Sequence, residues 1–336
     1  MSAPDPLASV EPATPKRRRL FRAIRVVVAV LVALILITRL AGASRRGHLP
    51  DITPSTLVWL VGALAATAAA LVLSTVRWQL VLYKLSRPIE LGRLLHHYAA
   101  AQFFSSILPT TVGGDVLRVT RLGRETNDVP TVFASVVLER LTGWLVLPAF
   151  IVFGMAINPG LAALGTASLV ATILALTTVS ILVALLWAAE HPNVGGRWRG
   201  TSRWRQLLGA VHLGVATLRR DPRGVTAIMG TAVAYQAMLV FAAFLAARAV
   251  GIDLGPTAFI AFVPAVLVAQ VLPLSIAGLG LREGALVLFF HPLGVVDAEA
   301  ILLGLLLYVL NLAVSLAGAP SFAFGGRGHD PYLVQT

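Results

Sequence analysis

The sequence predicts an all-α polytopic membrane protein with about six full transmembrane helices and two discontinuous re-entrant helical hairpins in an inverted-repeat arrangement. Three observations predict this class: the apolar composition, a series of long apolar segments, and a helix-breaking phrase that occurs twice. Of the 336 residues, 57% are apolar and only 12% are charged, whereas about a quarter of the residues of an ordinary soluble domain are charged. A soluble chain of this length cannot bury so much apolar surface, so lipid must be the solvent.

The net charge of +12 comes mainly from arginines that lie in blocks between the apolar segments. The sequence has no basic stripe interleaved with aromatic residues and no nucleic-acid-binding motif, so nucleic acid is not an expected partner. The positive charge is instead typical of residues that set membrane topology. The absence of cysteine excludes disulfides and thiolate metal sites.

Six apolar segments are long enough to cross the bilayer as helices. They lie at about 24–40, 56–76, 131–157, 162–188, 225–249 and 299–323. Residues 1–21 are expected to form a disordered basic cytoplasmic tail, residues 22–325 the transmembrane domain, and residues 326–336 a second cytoplasmic tail. Within the loop at 190–223, basic ends surround an apolar middle at 203–220, which indicates a helix on the cytoplasmic surface. A cleavable signal around Arg18 and Arg19 is the alternative for the first segment.

Two other apolar regions, 94–113 and 257–292, contain helix-breaking residues. Residues 108–118 read LPTTVGGDVLR and residues 272–282 read LPLSIAGLGLR, so both open with Leu-Pro and both close with an arginine. Such breaks are typical of discontinuous helices that line a cavity inside a transporter. Only five of the eleven positions match between the two phrases, so chance similarity is the alternative.

The distribution of basic residues predicts the orientation of the chain. Six basic residues lie in the tail and at the start of the first segment, seven lie from Arg77 to Arg124, and seven lie from Arg197 to Arg223. Six crossings place all three blocks, and both termini, on the cytoplasmic side of the plasma membrane. The first broken region then enters the bilayer from the cytoplasm and the second enters from outside.

Arg118 and Arg282 are candidate phosphate-binding residues, because each follows a break where backbone N–H groups lack helical partners. The glycines at the two breaks, Gly113, Gly114, Gly278 and Gly280, would let the backbone approach the same ligand. Cytoplasmic anchoring is the alternative for Arg118. Arg282 has no basic neighbours, and a charge within the bilayer is costly.

Four other ionisable residues are candidates for the same site: Asp115, Glu139, Arg140 and Glu283. Glu139 and Arg140 lie inside an apolar segment and therefore need partners, either as a structural ion pair with another helix or as the wall of a polar cavity. Asp115 and Glu283 are each near a helix start, where capping or dipole interaction is the alternative. No metal or cofactor site is expected.

Arg77, Trp78 and Lys84 follow the segment at 56–76 and are interpreted as interfacial residues that reach toward water. The sequence contains none of the metalloprotease, P-loop, serine hydrolase or DxD motifs, and no stretch outside the apolar segments is long enough for a soluble catalytic domain. An enzyme is therefore not expected.

The phrases LPTTVGGDVLR, ASVVLERL and LPLSIAGLGLREGALVLF resemble the lysylphosphatidylglycerol synthase transmembrane family, whose members are also called flippase-like integral membrane proteins. The resemblance extends over about residues 20–325. The second phrase is the more specific, since Leu272-Pro273, Ser275, Gly278-Leu279-Gly280, Arg282-Glu283 and Ala285 follow the family pattern. Thr110 to Val112 and Ala277 depart from that pattern.

The resemblance implies translocation of an anionic phospholipid or polyprenyl-linked lipid headgroup between leaflets. In the family this region moves aminoacylated phospholipid when it is joined to a cytosolic aminoacyl-transfer domain. The sequence ends soon after the last apolar segment, so translocation without synthesis is expected. Two alternatives stay open: a membrane enzyme that acts on polyprenyl phosphates, and a non-transporting partner of a cell-envelope lipid or glycan synthase.

Overall fold

The computed structural model describes residues 53–107, 113–190, 221–271 and 280–316, together with Gly209 and His212. All regular elements in these residues are helical: α1 Pro54–Lys84, α2 Leu91–Ile107, α3 Gly113–Glu125, α4 Val129–Ile157, α5 Pro159–Ala162, α6 Thr166–Glu190, α7 Pro222–Val250, α8 Pro256–Val271, α9 Leu281–Phe290, a 3-10 turn at His291–Leu293, and α10 Asp297–Leu316. The all-α prediction is therefore confirmed for the described part of the chain.

Five of these helices, α1, α4, α6, α7 and α10, are long and apolar enough to cross a membrane. They coincide with five of the six predicted spans, which confirms a polytopic membrane protein. The remaining predicted span at 24–40, both tails and the surface helix at 203–220 lie outside the described residues. One boundary differs clearly from the sequence interpretation, because α1 continues past residue 76 as far as Lys84.

Polar caps determine where three of the long helices begin. Thr53 caps α1, where its hydroxyl accepts the Thr56 N–H at 3.3 Å and the Thr56 hydroxyl accepts the Thr53 N–H at 3.2 Å. Asp128 and Asp221 cap α4 and α7, and each accepts an N–H group of the first turn at 3.1 and 2.9 Å, respectively. These bonds satisfy amides that have no partner within the helix.

The two capping aspartates also tie the starts of α4 and α7 to the end of α1. Arg87 contacts Asp128 at 2.7 Å, and Lys84 forms an ion pair with Asp221. Burial acts to raise the pKa of Asp128, but its hydrogen bonds from Thr131 and Arg87 outweigh this and hold the pKa below its usual value. The hydrogen bond from Lys84 lowers the pKa of Asp221 in the same direction. The end of α1 and the starts of α4 and α7 are therefore at one side of the molecule.

Each of the two regions with helix-breaking residues contains a helix on either side of the break. α2 and α3 flank residues 108–112, and α8 and α9 flank residues 272–279. Within each pair the two helices pack against one another. The breaks themselves, which include Pro109, Pro273 and Gly278, lie outside the described residues.

α1 and α7 pack along their lengths in antiparallel orientation. Gly62 of α1 faces Leu245 near the end of α7. Lys84, the last residue of α1, pairs with Asp221 at the start of α7. Between these points the guanidinium of Arg77 lies 4.9 Å from the ring centre of Tyr235. These two helices form the centre of the fold.

The pattern of helix contacts is the same when the first half, α1 to α4, is exchanged with the second half, α7 to α10. Consecutive helices pack together in both halves, α1 packs on α4 as α7 packs on α10, and α1 packs on α10 as α7 packs on α4. α2 contacts α10 through Gln102 and Asn311 at 2.8 Å, and α8 contacts α4 through Thr257 and Asn158 at 3.2 Å. The two halves thus have matching packing around the antiparallel α1 and α7.

The apolar core is concentrated around the second half. Its largest cluster joins α4, α6, α7, α8, α9 and α10, and includes Phe259, Phe262, Phe289 and Phe290, all fully buried. The rings of Phe262 and Phe289 stack at 5.2 Å. Around α1 to α4, by contrast, several polar and charged side chains are buried, and these include the candidate site residues Arg118 and Glu139.

Candidate functional site

Arg118 is buried in the protein and paired with two carboxylates. Its side chain is 2% exposed, and its Nη2 donates to Asp115 at 2.5 Å and to Glu139 at 3.2 Å. An anchoring arginine keeps its charged end in water, so this burial contradicts the interpretation of Arg118 as a cytoplasmic anchor. The structure therefore leaves the ligand-binding and structural roles as the two possible reasons for its position.

Glu139 is the centre of the charged group. One carboxylate oxygen accepts hydrogen bonds from Arg77 and, at 3.1 Å, from the Ser74 hydroxyl. The other oxygen accepts the bond from Arg118. The side chain of Glu139 is only 1% exposed. As expected, the Glu139 carboxylate has its partners on other helices. Ser74 and Arg77 belong to α1, and Arg118 belongs to α3.

Arg140 pairs with a different carboxylate and is more accessible. Its Nε and Nη2 donate to the two oxygens of Asp115, each at 3.0 Å. The side chain of Arg140 is 48% exposed, compared with 18% for Asp115. Asp115 thus joins Arg118 to Arg140. We call Arg77, Asp115, Arg118, Glu139 and Arg140 the charge cluster.

The interpretation of Arg77 and Trp78 as interfacial residues is wrong. Arg77 is 3% exposed and Trp78 is fully buried. The Trp78 indole N–H donates to the Ser135 hydroxyl at 2.9 Å. These residues are inside because α1 does not end at residue 76, and its last part packs on α4. Of the three residues, only Lys84 at the end of α1 has a partly exposed side chain, as expected.

Aromatic rings lie against the guanidinium groups of the charge cluster. The Arg118 guanidinium is 4.9 Å from the ring centre of Trp78 and 4.6 Å from that of Tyr98. That of Arg77 is 4.9 Å from the Tyr235 ring. Cation–π contacts of this kind are stronger where water is excluded. They hold both planar groups in fixed orientations.

The charge cluster has unused hydrogen-bonding capacity. Nε and Nη1 of Arg77 and Nη1 of Arg118 are buried and have no hydrogen-bond partner among the described residues. Three arginines and two carboxylates leave the cluster with one excess positive charge. Buried donors without partners are rare, because each costs the free energy of its lost hydration. An anion with several acceptor oxygens would satisfy both the donors and the charge.

Arg282 and Glu283 occupy the start of α9 in the second half. Arg282 donates to the Gln270 side chain and to the carbonyl of Gly304, both at 3.2 Å, and lies 5.8 Å from the Tyr308 ring centre. These two acceptors of Arg282 are neutral groups, whereas the acceptors described for Arg118 are carboxylates. Among the described contacts, none joins Arg118 directly to Arg282.

Glu283 completes a capping arrangement at α9. One oxygen accepts the N–H of Gly280 at 2.5 Å, and Gly280 has a positive φ of 82° that favours glycine. The other oxygen is buried without a hydrogen-bond partner among the described residues. A Cβ added to Gly304 of α10 would lie 2.9 Å from Cγ of Glu283, so the two helices are in close contact there. This geometry supports the alternative role of Glu283, in which it caps the start of α9.

The structure describes three of the four candidate glycines. Gly113 begins α3, and Gly114 lies so close to α2 that a Cβ would meet the carbonyl of Ala101 at 2.5 Å. The N–H of Gly114 donates to Ser105 at 3.1 Å. Gly278 lies outside the described residues. No group of three histidine, aspartate or glutamate side chains in the described ranges could hold a metal ion.

A small cavity lies beside the charge cluster, between the two halves. Its walls come from α1, α2, α7 and α10. Six of its lining residues have side chains that can donate or accept hydrogen bonds: Thr67, Ser74, Tyr98, Gln102, Tyr235 and Asn311. Sequence analysis did not predict that these residues meet, because they lie on four different helices.

Comparison with known proteins agrees with this architecture. The model of the family described as "Lysylphosphatidylglycerol synthase TM region" matches residues 22–318. No curated protein and no solved structure matches the chain. The match includes both broken regions and every residue of the charge cluster. The chain therefore belongs to the lysylphosphatidylglycerol synthase transmembrane family.

Proposed function

We propose that the protein moves an anionic lipid headgroup between the leaflets of the plasma membrane. The observation that carries this proposal is the charge cluster, which has an excess positive charge and three buried guanidinium nitrogens without hydrogen-bond partners among the described residues. Ionisable residues at membrane depth are costly and are found mainly where they line a pathway or pair with each other. A lipid phosphate brings the acceptors and the negative charge that this cluster lacks.

The proposed transport architecture is an inverted repeat with two re-entrant hairpins, α2–α3 and α8–α9. Three observations support it: the antiparallel α1 and α7, the exchange symmetry of the helix contacts, and the helix pairs that flank each break. In such a repeat the two halves present equivalent surfaces to opposite leaflets, and rocking of one half against the other gives alternating access. Both termini would then be cytoplasmic, as the positive-inside pattern predicts.

The site residues have separate roles in this proposal. Arg118 and Arg77 bind phosphate in the first half, and Arg282 is the counterpart in the second half. Glu139 orients the two buried arginines, and Asp115 positions Arg118 and Arg140. The half-exposed Arg140 is suited to meet the headgroup first. Glu283 and the glycines shape the start of α9 and the contact between α2 and α3.

The protein acts as a transporter rather than an enzyme in this proposal. The carboxylates of the charge cluster are already paired with arginines, so neither is suited to act as a general base toward a bound phosphate. A cell-envelope lipid or glycan synthase is the proposed partner that supplies or consumes the lipid. The movement is downhill or coupled to an ion, because the sequence has no nucleotide-binding motif.

Leaflet exchange in liposomes tests the proposal. Purified protein is reconstituted with a fluorescent anionic phospholipid, and the fraction that becomes accessible to a membrane-impermeant quencher is followed with time. Exchange should be faster than in protein-free liposomes and in liposomes with heat-inactivated protein. If folded protein does not accelerate exchange, transport is wrong, and the buried charges then have a structural role in a non-transporting synthase partner.

A further inference from the structure

We infer that the transported headgroup is a polyol or sugar phosphate, with hydroxyl groups and no amine. This inference rests on the proposed transport function and specifies its substrate class. The feature that carries it is the small cavity beside the charge cluster. Its chemistry differs from what an aminoacylated or other amine-bearing headgroup would require.

The polar walls of the cavity consist of neutral amides and hydroxyls. Gln102 of α2 donates from its side-chain amide to the Asn311 side chain of α10 at 2.8 Å. The hydroxyls of Ser74 and Tyr98 are 2.7 Å apart. Tyr235 lies on the opposing α7. Amides and hydroxyls can each donate and accept, which suits the hydroxyl groups of a sugar or polyol.

The cavity adjoins the charge cluster through Ser74, Tyr98 and Tyr235. Its lining residue Ser74 contacts both Arg77, at 3.4 Å, and Glu139. The ring of Tyr98 lies against Arg118, and the ring of Tyr235 lies against Arg77. A phosphate on the guanidinium side would therefore place the next part of the headgroup against the amide and hydroxyl side. This is the arrangement of groups in a polyol phosphate.

Among the described residues around the cavity, no free carboxylate is available to pair with an ammonium group. None of the cavity-lining residues is a carboxylate. The nearby carboxylates of Glu139 and Asp115 are each already bound by two arginines. Glu283 has one oxygen without a hydrogen-bond partner among the described residues, but this oxygen packs against Gly304, about two helical turns along α10 from Asn311. The excess positive charge of the cluster also repels a cationic headgroup.

Headgroup preference in proteoliposomes tests the inference. Four fluorescent lipids with the same acyl chains are compared: phosphatidylglycerol, phosphatidylinositol, phosphatidylethanolamine and lysylphosphatidylglycerol. The first two should exchange roughly tenfold faster than the last two, since the amine lipids leave their ammonium unpaired. Equal rates, or faster exchange of either amine lipid, would overturn the inference while leaving transport intact.

Variants connect the preference to the cavity. Asn311→Leu and Tyr235→Phe each remove hydrogen-bonding groups and should reduce the preference for phosphatidylinositol over phosphatidylethanolamine by roughly fivefold. The matched control is Gln79→Leu, since Gln79 also makes one side-chain hydrogen bond, at 2.8 Å to the Ile89 carbonyl, but does not line the cavity. A preference that is unchanged in both cavity variants would contradict the inference.

Binding in detergent distinguishes a lipid ligand from a soluble phosphate that has the same headgroup chemistry. Wild-type protein is titrated with phosphatidylglycerol, phosphatidylethanolamine and soluble glycerol phosphate, and the shift in its melting temperature is measured. The inference predicts that phosphatidylglycerol stabilises the protein more than the other two ligands do. Stronger stabilisation by glycerol phosphate would contradict a lipid substrate. If no lipid exchanges in liposomes, transport fails, but this ranking still decides the headgroup chemistry.

Discussion

At the scale of single residues, the charge cluster contains groups of opposite character. Glu139 is buried and neutralised by two arginines, so it resembles a structural ion-pair centre. Arg140 is half exposed and bound to one carboxylate, so it resembles a cavity wall. The sequence left two roles open for both residues, a structural ion pair or the wall of a polar cavity. We expect the first role for Glu139 and the second for Arg140.

Replacing Glu139 with Gln should therefore reduce stability. The substitution leaves the buried Arg77 and Arg118 without a compensating charge, and breaking a buried ion pair typically costs about 3–5 kcal/mol. We expect a clear decrease in melting temperature and in monodisperse yield in detergent. Glu125→Gln is the control, because Glu125 pairs with Arg93 and His97 at a more exposed position. Equal melting temperatures for the two variants would show that Glu139 is not structural.

Replacing Arg140 with Gln should slow lipid exchange without a large loss of stability. Its partly exposed pair with Asp115 is expected to contribute no more than about 1 kcal/mol to stability. Melting temperature should therefore change little, whereas leaflet exchange should become slower because an accessible cationic group is lost. Unchanged exchange by this variant would remove Arg140 from the proposed pathway.

At the scale of helices, the close approach of α4 and α8 depends on Gly154. A Cβ at this position would lie 2.5 Å from the backbone nitrogen of Ala261, so Gly154→Ala must separate the helices. We expect destabilisation of about 1–3 kcal/mol, as for other overpacked interiors. Gly230→Ala in α7 is the matched control, because nothing lies within 4 Å of its added Cβ. That variant should be as stable as the wild type or more stable, since alanine favours helix.

Denaturation in detergent, followed by circular dichroism, compares the two glycine variants. If Gly154→Ala is as stable as Gly230→Ala, the described packing of α4 on α8 is wrong. The experiment also tests the exchange symmetry indirectly, because the α4–α8 contact corresponds to the α2–α10 contact of the other half.

The helices were more predictable than the site. Long apolar segments indicated α1, α4, α6, α7 and α10, because lipid requires a continuous apolar helix of defined length. The end of α1 was misplaced since a charge at Arg77 looks like a membrane boundary when its partner is unknown. That partner, Glu139, is on another helix, and only tertiary contact between α1 and α4 reveals it. The cavity was missed for the same reason, since its six polar residues are contributed by four helices.

At the scale of the whole molecule, the inverted arrangement predicts which loops face the cytoplasm. The chain has no cysteine, so single cysteines can be introduced and labelled without background. A cysteine at Thr126 should be protected from an impermeant reagent in intact cells, whereas cysteines at Asn158 and Asp297 should react. These positions are in the loop after α3, after α4 and at the start of α10. Protection at Asn158 with labelling at Thr126 would contradict the inverted arrangement.

Equivalence of the two halves also predicts how substitutions of Arg118 and Arg282 combine in their effect on lipid binding. If Arg118 and Arg282 contact the same headgroup in turn or together, each Gln variant should weaken lipid binding about ten- to hundred-fold, and the double variant should lose less than the product of the two factors. Lysine at either position should restore binding only in part, because it lacks the forked donors of arginine. Fully multiplicative losses in a lipid-binding titration would indicate two independent sites.

The central claim is that buried guanidinium donors of the charge cluster bind the phosphate of a moving lipid. The most direct measurement is the initial rate of anionic lipid exchange by wild type, Arg118→Gln, Arg118→Lys and Arg124→Gln in proteoliposomes, with melting temperatures measured in parallel. Arg124 is on the same helix but exposed. The account predicts exchange about ten- to hundred-fold slower for Arg118→Gln, partial recovery for Arg118→Lys, and a nearly normal rate for Arg124→Gln. A folded Arg118→Gln protein that exchanges lipid at the wild-type rate would contradict it.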